Sequence, residues 1–357
     1  MQIRSVTSEG ATHDAFAAYA KAVRREVDDR LAELLDARVK SAYALAPDAG
    51  DVVDSLRQLA VRGGKRLRAV LLAASYEASG GEGGSVAVVD AGVALEVLQA
   101  YLLVHDDWMD GDDVRRGGPS AHALLRQKFG GNHEGDTGAI LAGDFGSGLT
   151  FELLASMNVA APRLLDAVRE LSKAATDVVL GQILDVRHAA KGKDAVEAMH
   201  RLKTGSYTVR APLLVGAALA GASPEVRAGL AEAADPLGIA FQLRDDLLGT
   251  FGDPKKTGKP ASGDLREGKR TALVTELEGD REAARLLPRV LGVADAPEDE
   301  VAAVISRMVE SGAKARVEAR IEALLADSRK RFQRLPLRTE GKTVLLGAVS
   351  ALGSRDM

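Results

Sequence analysis

Apolar residues recur at spacings of three and four along most of the chain, which is the period of a helix with one buried face. Two segments, residues 86–110 and 237–251, are apolar around most of their circumference, so both are expected at the centre of a helical bundle. The same spacing predicts the helices of the chain, over residues 19–45, 52–60, 66–79, 86–110, 139–157, 163–190, 195–220, 224–251 and 298–334.

Composition agrees with an all-α fold. Tyr, Phe and Trp make up only 4% of the residues, while the abundant Ala, Leu, Glu and Arg favour helix over strand. No linker or low-complexity tract divides the 357 residues, so a single domain over residues 1–357 is expected. Glycine and proline clusters predict loops at residues 63–64, 80–84, 117–119, 130–131, 205 and 252–268.

Charge and cysteine content exclude several classes of function. The 47 basic and 51 acidic residues are mixed along the chain and give a net charge of −4, which argues against nucleic-acid binding. The chain has no cysteine, which excludes disulfides and thiol nucleophiles and favours the cytoplasm. The N-terminus lacks the apolar stretch of a secretory signal. Asp90, Glu96 and Gln99 within residues 86–104 indicate a buried helix rather than a membrane span.

A cluster of acidic residues ends the first of the two apolar helices. Asp106 and Asp110 lie one turn apart on one helical face, with Asp107 beside them. Like charges at this spacing, near the negative end of the helix dipole, are unfavourable without a cation. Hard oxygen donors without a histidine or cysteine cluster favour Mg²⁺. The cluster alone could also be a solvated acidic patch, but Arg115 and Arg116 follow directly and can bind phosphate bidentately.

A second acidic cluster, Asp245 and Asp246, closes the other apolar helix. Four lysines lie downstream of this pair. The repetition of acid followed by cations, about 140 residues further along, is difficult to explain as chance surface charge. The pattern therefore predicts a second part of one metal and diphosphate site, with cations at Lys255, Lys256, Lys259 and Lys269.

Two further segments are weaker signals. Lys65 and Arg68 follow a pair of glycines at the start of a predicted helix, where backbone amides can approach an anion. An ordinary helix start would give the same pattern. Lys203 and Thr204 precede Gly205, which suits either a site or a helix kink.

Taken in order, these residues resemble the motifs of the polyprenyl synthetase family, the trans-prenyltransferases that include farnesyl and geranylgeranyl diphosphate synthases. The resemblance covers about residues 60–270, and the chain ends match only in helical character. It implies the isoprenoid-synthase fold, a helical bundle around a central apolar cavity. It also implies a Mg²⁺-dependent enzyme that joins isopentenyl diphosphate to an allylic diphosphate. The matching segments are GGKRLR, HDDWMD with its RRG, LAGD, GQILD, KTG, and FQLRDD with GDPKKTGKP.

The resemblance also implies roles for the individual residues. Asp106 and Asp110 would ligate two Mg²⁺ ions and Asp245 a third, while Asp107 and Asp246 would support metal-bound water. The Thr204 hydroxyl and the Gln242 amide oxygen would stabilise an allylic cation, and Gln242 would also contact the allylic diphosphate through metal or water. The residues implied to hold the allylic diphosphate are Arg115, Lys203, Lys259 and Lys269. Those implied to hold isopentenyl diphosphate are Gly64, Lys65, Arg68, Gln99 and Arg116.

One position departs from the family pattern. Many relatives carry aspartate at the fifth place of the second acidic motif, where this chain has Gly249. Asp245, the first aspartate of that motif, is intact, so we expect a variant site in which the third metal is held less tightly.

Product length is expected to depend on residues upstream of Asp106, because each adds about 1.5 Å to the depth of a cavity along the helix. Tyr101 is the predicted floor, with Leu102 and Leu98 beside it. The resemblance then predicts a C20 product, geranylgeranyl diphosphate. A core role for Tyr101 and a farnesyl or other product are the alternatives.

Two other functions compete with chain elongation. A class I terpene cyclase also ionises a diphosphate on an aspartate-rich helix, but would not need the GGKRLR segment. A non-catalytic synthase subunit would typically have lost its aspartates, which this chain keeps. The resemblance further implies a homodimer, and neither nucleic acid nor stable membrane insertion is expected.

Overall fold

The computed structural model describes residues 9–187, 189–252 and 263–353. These residues are helical except for loops and a hairpin of two-residue strands, β1 (Val114–Arg115) and β2 (Gly118–Pro119). The predicted all-α class is therefore confirmed. The helices of the first half are α1 (Glu9–Leu45), α2 (Pro47–Val61), α3 (Leu67–Ala78), α4 (Val86–Asp110), α5 (Ala121–Phe129), α6 (Asn132–Ala155) and α7 (Ala161–Val186).

The second half contains longer and shorter helices. A π-helix, Arg201–Arg210, continues directly from α8 (Lys193–His200) and leads into α9 (Ala211–Ala220). A short 3₁₀-helix covers Leu287–Arg289. The remaining helices are α10 (Pro224–Phe251), α11 (Gly263–Arg266), α12 (Ala272–Glu276), α13 (Ala283–Leu286), α14 (Glu298–Glu310), α15 (Ala313–Arg334) and α16 (Thr339–Gly353).

The chain divides into two compact units that interleave along the sequence. The first unit comprises Met1–Glu170, Pro212–Pro224 and Leu337–Leu345. The second comprises Leu171–Ala211, Glu225–Pro336 and Leu346–Met357. The single domain expected from the sequence stays a prediction.

Helix α4 is the centre of the first unit, where it packs against α1, α2, α3 and α6. It is the one described helix that is long and apolar enough to cross a membrane by length and composition. However, 56% of its most apolar window is buried within the protein, in agreement with the predicted buried helix. Its bounds are those predicted from the hydrophobic pattern.

A buried arginine fixes the loop between α2 and α3. Arg66 has a left-handed backbone, with φ of 50°, and its side chain points into the core. Its guanidinium contacts Asp28 at 2.6 Å, Glu96 at 3.0 Å and the carbonyl oxygen of Ala60 at 2.8 Å. Arg66 and Glu96 have side chains only 2% and 1% exposed, so each charge depends on the other.

The second unit depends on a close approach between the π-helix and α10. A Cβ atom added to Gly238 would lie 2.7 Å from the Cα of Gly205, so a larger residue at position 238 would push the two helices apart. Earlier on α10, the hydroxyl of Ser328 on α15 donates to the carbonyl oxygen of Ala233 at 2.8 Å. Gly205 thus lies inside a π-helix, where the sequence predicted a loop or a kink.

Other predicted elements differ in detail. The bounds of α10 agree with prediction, but the predicted helix over residues 298–334 is two helices. Gly312, with φ of 77°, separates α14 from α15 because a left-handed residue ends a right-handed helix. Helix α5, the short helices between residues 263 and 289, and α16 were not predicted from the pattern.

The buried ion pair of Arg66 gives a stability prediction. Arg66→Met should lower the free energy of unfolding by about 3 kcal/mol, because it leaves the Glu96 carboxylate buried without its partner. Urea denaturation measures this loss. The double variant Arg66→Met/Glu96→Gln should lose less, since no buried charge is left alone.

Arg24→Met is the matched control, because Arg24 also pairs with Asp28, at 3.4 Å, but is half exposed. Its expected loss is below about 1 kcal/mol. Equal losses for Arg24→Met and Arg66→Met would contradict the structural role given to Arg66.

Candidate active site

The end of α4 presents two aspartates and buries a third. Asp106 and Asp110 lie one turn apart and are partly accessible, with the Asp106 side chain 24% exposed. Asp107 is completely buried. Gly111 ends the helix with φ of 72°, and its N–H donates to the carbonyl oxygen of Asp107. The helix end therefore separates two carboxylates that can meet a ligand from one that faces the protein.

Arg115 neutralises the buried carboxylate. It follows on β1, and its Nε donates to Asp107 Oδ1 at 2.7 Å. The same guanidinium contacts Asp112 at 3.2 Å and lies 4.0 Å from Asp106. Burial raises the pKa of Asp107 to about 6, although the guanidinium of Arg115 opposes this rise. Arg115, predicted to bind diphosphate, therefore stands within a ring of carboxylates at the edge of the aspartate pair.

Arg116 joins the hairpin to the glycine-rich loop before α3. Its Nη1 donates to the carbonyl oxygen of Gly63 at 2.6 Å, and its guanidinium lies 3.5 Å from the Cβ position of Gly64. Burial and the nearby charges of Arg66 and Arg68 lower the pKa of Arg116. The structure thus forms an arginine cluster, in which the guanidinium of Arg116 lies close enough to those of Arg66 and Arg68 to be repelled by them.

The other predicted isopentenyl-site residues lie on the glycine-rich loop, α3 and α4 of the first unit. Lys65 is exposed on the loop, and Arg68 is buried on the first turn of α3. Gln99 is partly accessible and lies two helical turns before Asp106 on α4. Arg62, which the sequence analysis did not single out, donates to the carbonyl oxygen of Pro119 at 2.5 Å and so attaches α2 to the hairpin.

The acidic end of α10 repeats the division seen on α4. Asp245 is exposed, while Asp246 is 4% exposed. Asp246 Oδ1 accepts from Gln242 Nε2 at 3.0 Å, and its Oδ2 accepts from the N–H of Ala272 at 3.3 Å. The Thr204 hydroxyl donates to Gln242 Oε1 at 2.6 Å. Asp246 therefore contacts protein groups through both oxygens.

Two of the predicted lysines of the second unit, Lys203 and Lys269, have acidic partners. Lys203 Nζ lies 2.5 Å from Asp185 Oδ2 on α7. Lys269 lies 2.6 Å from Glu267 and 4.0 Å from Asp264. Lys255, Lys256 and Lys259 lie outside the described residues.

A carboxylate from another helix reaches the position of the missing motif aspartate. A Cβ atom added to Gly249 would lie 2.8 Å from Asp264 Oδ2. Asp264 is on α11, and its carbonyl oxygen accepts from the N–H of Lys269 at 2.9 Å. The glycine is thus one turn beyond Asp245 on α10, with a carboxylate oxygen already beside it.

The predicted product-length residues differ in their surroundings. Tyr101 is 7% exposed and packs across Gly146 of α6, whose added Cβ would lie 2.8 Å from the Tyr101 Cβ. Leu98 is fully buried. Leu102 is partly accessible and lies one turn before Asp106 on the same face of α4.

The donor set fits Mg²⁺. Among the described residues, no group of three or more His, Cys, Asp or Glu residues is close enough to hold a metal ion by itself. Mg²⁺ usually takes one or two carboxylates and fills its coordination with water and substrate phosphate. Asp106 and Asp110, with the Asp107 carboxylate held away from them by Arg115, supply such a pair.

Comparison with known proteins identifies the family. The model of the family described as polyprenyl synthetase matches residues 51–308, which is more than half of the chain. The chain belongs to the polyprenyl synthetase family. This match confirms the resemblance of the motifs and the predicted enzyme class, a prenyltransferase.

Relatives within the polyprenyl synthetase family differ in their named products. The chain is 33% identical over 313 residues to geranylfarnesyl diphosphate synthase of Aeropyrum pernix, covering 85% of this chain and 93% of that protein. It is 35% identical over 257 residues to (2E,6E)-farnesyl diphosphate synthase of Mycobacterium tuberculosis, covering 70% and 67%.

A solved structure shares the fold along nearly the whole chain. Geranylgeranyl pyrophosphate synthase of Corynebacterium glutamicum, complexed with isoprenyl diphosphate and magnesium, superimposes with a TM-score of 0.86. The identity is 32%, and the match covers 94% of this chain and 98% of that one. The isoprenoid-synthase type of helical fold is therefore confirmed.

Several residues of this family member escaped the sequence analysis. Arg66 lies within the GGKRLR segment and Arg62 directly before it. The sequence gave no sign that Arg66 is buried or that Arg62 binds the carbonyl oxygen of Pro119. Asp185 is the last residue of the GQILD segment, and its acidic side chain could have been predicted to pair with a lysine such as Lys203. His200 and Asp264 contact the second acidic motif only through the tertiary structure, and no spacing pattern marks them.

The contact between Gly249 and Asp264 can be tested by stability. Gly249→Asp should lower the free energy of unfolding by about 1–3 kcal/mol, because the new side chain collides with the Asp264 carboxylate and repels it. Adding Asp264→Ala should recover most of this loss in urea denaturation.

Gly148→Asp is the control, because an added Cβ on this helical glycine of α6 meets nothing within 4 Å. It should be nearly as stable as the wild type. A loss for Gly249→Asp that persists in the double variant would show that Asp264 is not its cause.

Proposed function

We propose that this protein is a trans-prenyltransferase that condenses isopentenyl diphosphate with an allylic diphosphate, with geranylgeranyl diphosphate as its main product. The observation that carries this proposal is the arrangement around the hairpin. Arg115 lies 4.0 Å from the accessible carboxylate of Asp106, whereas the next residue, Arg116, belongs to the arginine cluster with Arg66 and Arg68. One anion can thus be held through metal and a second through arginine.

The allylic diphosphate is assigned to the two acidic helix ends. Asp106, Asp110 and Asp245 would hold up to three Mg²⁺ ions, which would supply neutralisation of the diphosphate charge as its C–O bond breaks. Arg115 and Lys203 would turn from their carboxylate partners to phosphate oxygens when these are present. Lys259 and Lys269 remain further candidates, and Asp264 would add the carboxylate that Gly249 lacks.

Isopentenyl diphosphate is assigned to the arginine cluster. Arg68 and Arg116 stand near Arg66, and their mutual repulsion makes a diphosphate a favourable partner. Lys65 is exposed on the same loop, Gly64 has no side chain to block a ligand, and Gln99 is partly accessible on α4. The double bond of this substrate would then attack the allylic cation to form the new C–C bond, and the resulting cation would lose a proton to the released diphosphate.

The cation formed by ionisation would be stabilised by oriented oxygen dipoles. Thr204 donates its hydroxyl hydrogen to Gln242, so its oxygen lone pairs are available to a positive charge. An apolar surrounding would keep water from the cation. This assignment of Thr204 and Gln242 rests on the hydrogen bond between them and on the family.

A homodimer is proposed as the working form. The exposed apolar side chains of Ile140 and Leu141 on α6 support it, because exposed apolar groups on a central helix suit an interface with a second copy. A cytoplasmic location stays a prediction.

A product assay tests the proposed function. Purified protein with Mg²⁺, radiolabelled isopentenyl diphosphate and each of the C5, C10 and C15 allylic diphosphates should give labelled chain-extended products, mainly C20. A cyclase would consume the allylic diphosphate without incorporating label, and a non-catalytic subunit would consume neither. Either result would contradict the proposal.

The two helix ends should each be required in this assay. Asp106→Asn and Asp245→Asn should each lower kcat by at least about 100-fold, because each removes a charge that the developing diphosphate charge depends on. Asp36→Asn, which replaces a surface carboxylate paired with Arg57, is the control and should leave kcat unchanged.

Product length provides a separate prediction. Tyr101→Ala should shift the products beyond C20, because removal of the ring opens space next to Gly146 along α4. Chromatography of the dephosphorylated products measures the shift. Tyr43→Ala, which removes an exposed tyrosine of α1, is the control. An unchanged distribution in Tyr101→Ala would assign Tyr101 to the core alone.

A further inference from the structure

We propose that His200, acting through Asp246, sets the orientation of the Gln242 amide and of the Thr204 hydroxyl, and is thus a positioning residue for the cation-stabilising pair. This inference rests on the proposed function for its catalytic consequence. All four of these residues belong to the second unit. Neither the motifs nor the family resemblance gave His200 a role.

His200 is a buried imidazole whose surroundings are unusual. It is the last residue of α8, immediately before the π-helix, and is 3% exposed. Its Nε2 lies 3.5 Å from Asp246 Oδ2. Its Nδ1 is buried and meets no hydrogen-bonding group within the described residues. A buried polar ring of this kind costs free energy, so its polar contact with Asp246 needs an explanation.

Asp246 determines which way the amide of Gln242 points. A carboxylate only accepts hydrogen bonds, so the group of Gln242 that faces Asp246 Oδ1 at 3.0 Å must be the NH₂. The amide oxygen is then on the other side, where it accepts from the Thr204 hydroxyl at 2.6 Å. If the amide rotated by half a turn, its NH₂ would face the hydroxyl and its oxygen would face the carboxylate.

The direction of the Thr204 hydroxyl follows from the same chain. Because its hydrogen is donated to Gln242, its lone pairs are directed away from that residue. A cation is stabilised by lone pairs and repelled by a hydroxyl hydrogen. Thr204 can therefore stabilise a cation only while the amide oxygen of Gln242 accepts its hydroxyl hydrogen. That orientation of the amide is fixed by Asp246.

His200 holds Asp246, the last residue in this series of contacts. Asp246 Oδ2 faces His200 Nε2 and the N–H of Ala272, the latter at 3.3 Å. These two groups keep the carboxylate plane fixed, so that Oδ1 remains directed at Gln242. Without the imidazole, one long backbone hydrogen bond is left on Oδ2, and the carboxylate can rotate. We expect the amide of Gln242 to lose its single orientation as a result.

Two substitutions of His200 distinguish a residue that positions Asp246 from one that only fills space in the core. His200→Leu keeps an apolar side chain of similar size but removes the nitrogen that faces Asp246. His200→Gln places an amide N–H near the Nε2 position and can restore that contact. A residue that only fills space should accept leucine at least as well as glutamine.

Steady-state kinetics give the first readout. For His200→Leu we expect kcat to fall by about 10-fold to 100-fold, the usual range for groups that orient a reacting residue. The KM values for both diphosphates should stay within about twofold, because no group that binds them is removed. His200→Gln should recover most of kcat. An unchanged kcat in His200→Leu, an equal loss in His200→Gln, or a loss that parallels the fall in melting temperature would overturn the proposal.

Side-chain NMR gives a readout that needs no substrate. The chain has seven glutamines, and Gln242→Glu identifies the signal of Gln242 in selectively ¹⁵N-labelled protein. Its NH₂ should exchange with water about tenfold faster in His200→Leu than in the wild type or His200→Gln, because its acceptor is no longer fixed. Equal exchange in all three proteins would overturn the proposal.

The two readouts distinguish the two claims. If the wild type incorporates no isopentenyl diphosphate, the proposed function fails, while the NMR comparison still decides whether His200 orients Gln242. If the wild type elongates normally and the variants show no difference in kcat or in exchange, only the role of His200 fails.

Discussion

A carboxylate buried at the C-terminal end of an apolar helix must be stabilised by an opposite charge or by hydrogen-bond donors, and both aspartate-rich helices meet this constraint. On α4, Asp107 is neutralised by the guanidinium of Arg115. On α10, Asp246 is held by neutral donors, the amide of Gln242 and the N–H of Ala272, with His200 nearby. In each pair the buried aspartate anchors the helix end, and its neighbour remains accessible. Because one aspartate of each pair is buried and its neighbour is accessible, a metal ion can be bound without placing all the carboxylates close together, where they would repel one another.

Close backbone approach gives these anchors their positions. The π-helix widens the chain at KTG and lets Thr204 reach Gln242, while Gly238 allows this segment to lie directly on α10. π-Helical turns are rare and often occur at functional sites, and here the irregular turn carries both Lys203 and Thr204. The glycine of the KTG segment therefore belongs to the packing of the site. It does not interrupt the helix, which runs as a π-helix from Arg201 to Arg210.

The sequence predicted what depends on local pattern. The bounds of α4 and α10 follow from their continuous apolar character, and the pairing of acid with following cations pointed to the correct family. Contacts between distant segments could not be predicted, because periodicity carries no information about which helices become neighbours. Asp264 beside Gly249 and His200 beside Asp246 are of this kind. The burial of Arg66 could not be predicted for a related reason. A basic residue near two glycines suggests a surface cation, and its partners Glu96 and Asp28 come from distant helices. Loops with left-handed residues, such as Gly312, were also read as helix.

Product length illustrates the limit of family membership. Relatives at 33% and 35% identity are named for different chain lengths, so the shared motifs cannot determine where the cavity ends. Helix geometry indicates which residues of α4 can face a growing product, because successive residues turn by about 100° around the helix axis. Leu102 shares the accessible face of Asp106, whereas Tyr101 points toward α6 and lies across Gly146. The space available to a growing chain should therefore depend on how α4 and α6 pack together. A methyl group at position 146 would come within 2.8 Å of the Tyr101 Cβ and 3.1 Å of a Leu56 methyl group, so it would move these side chains and change that space without altering any motif residue.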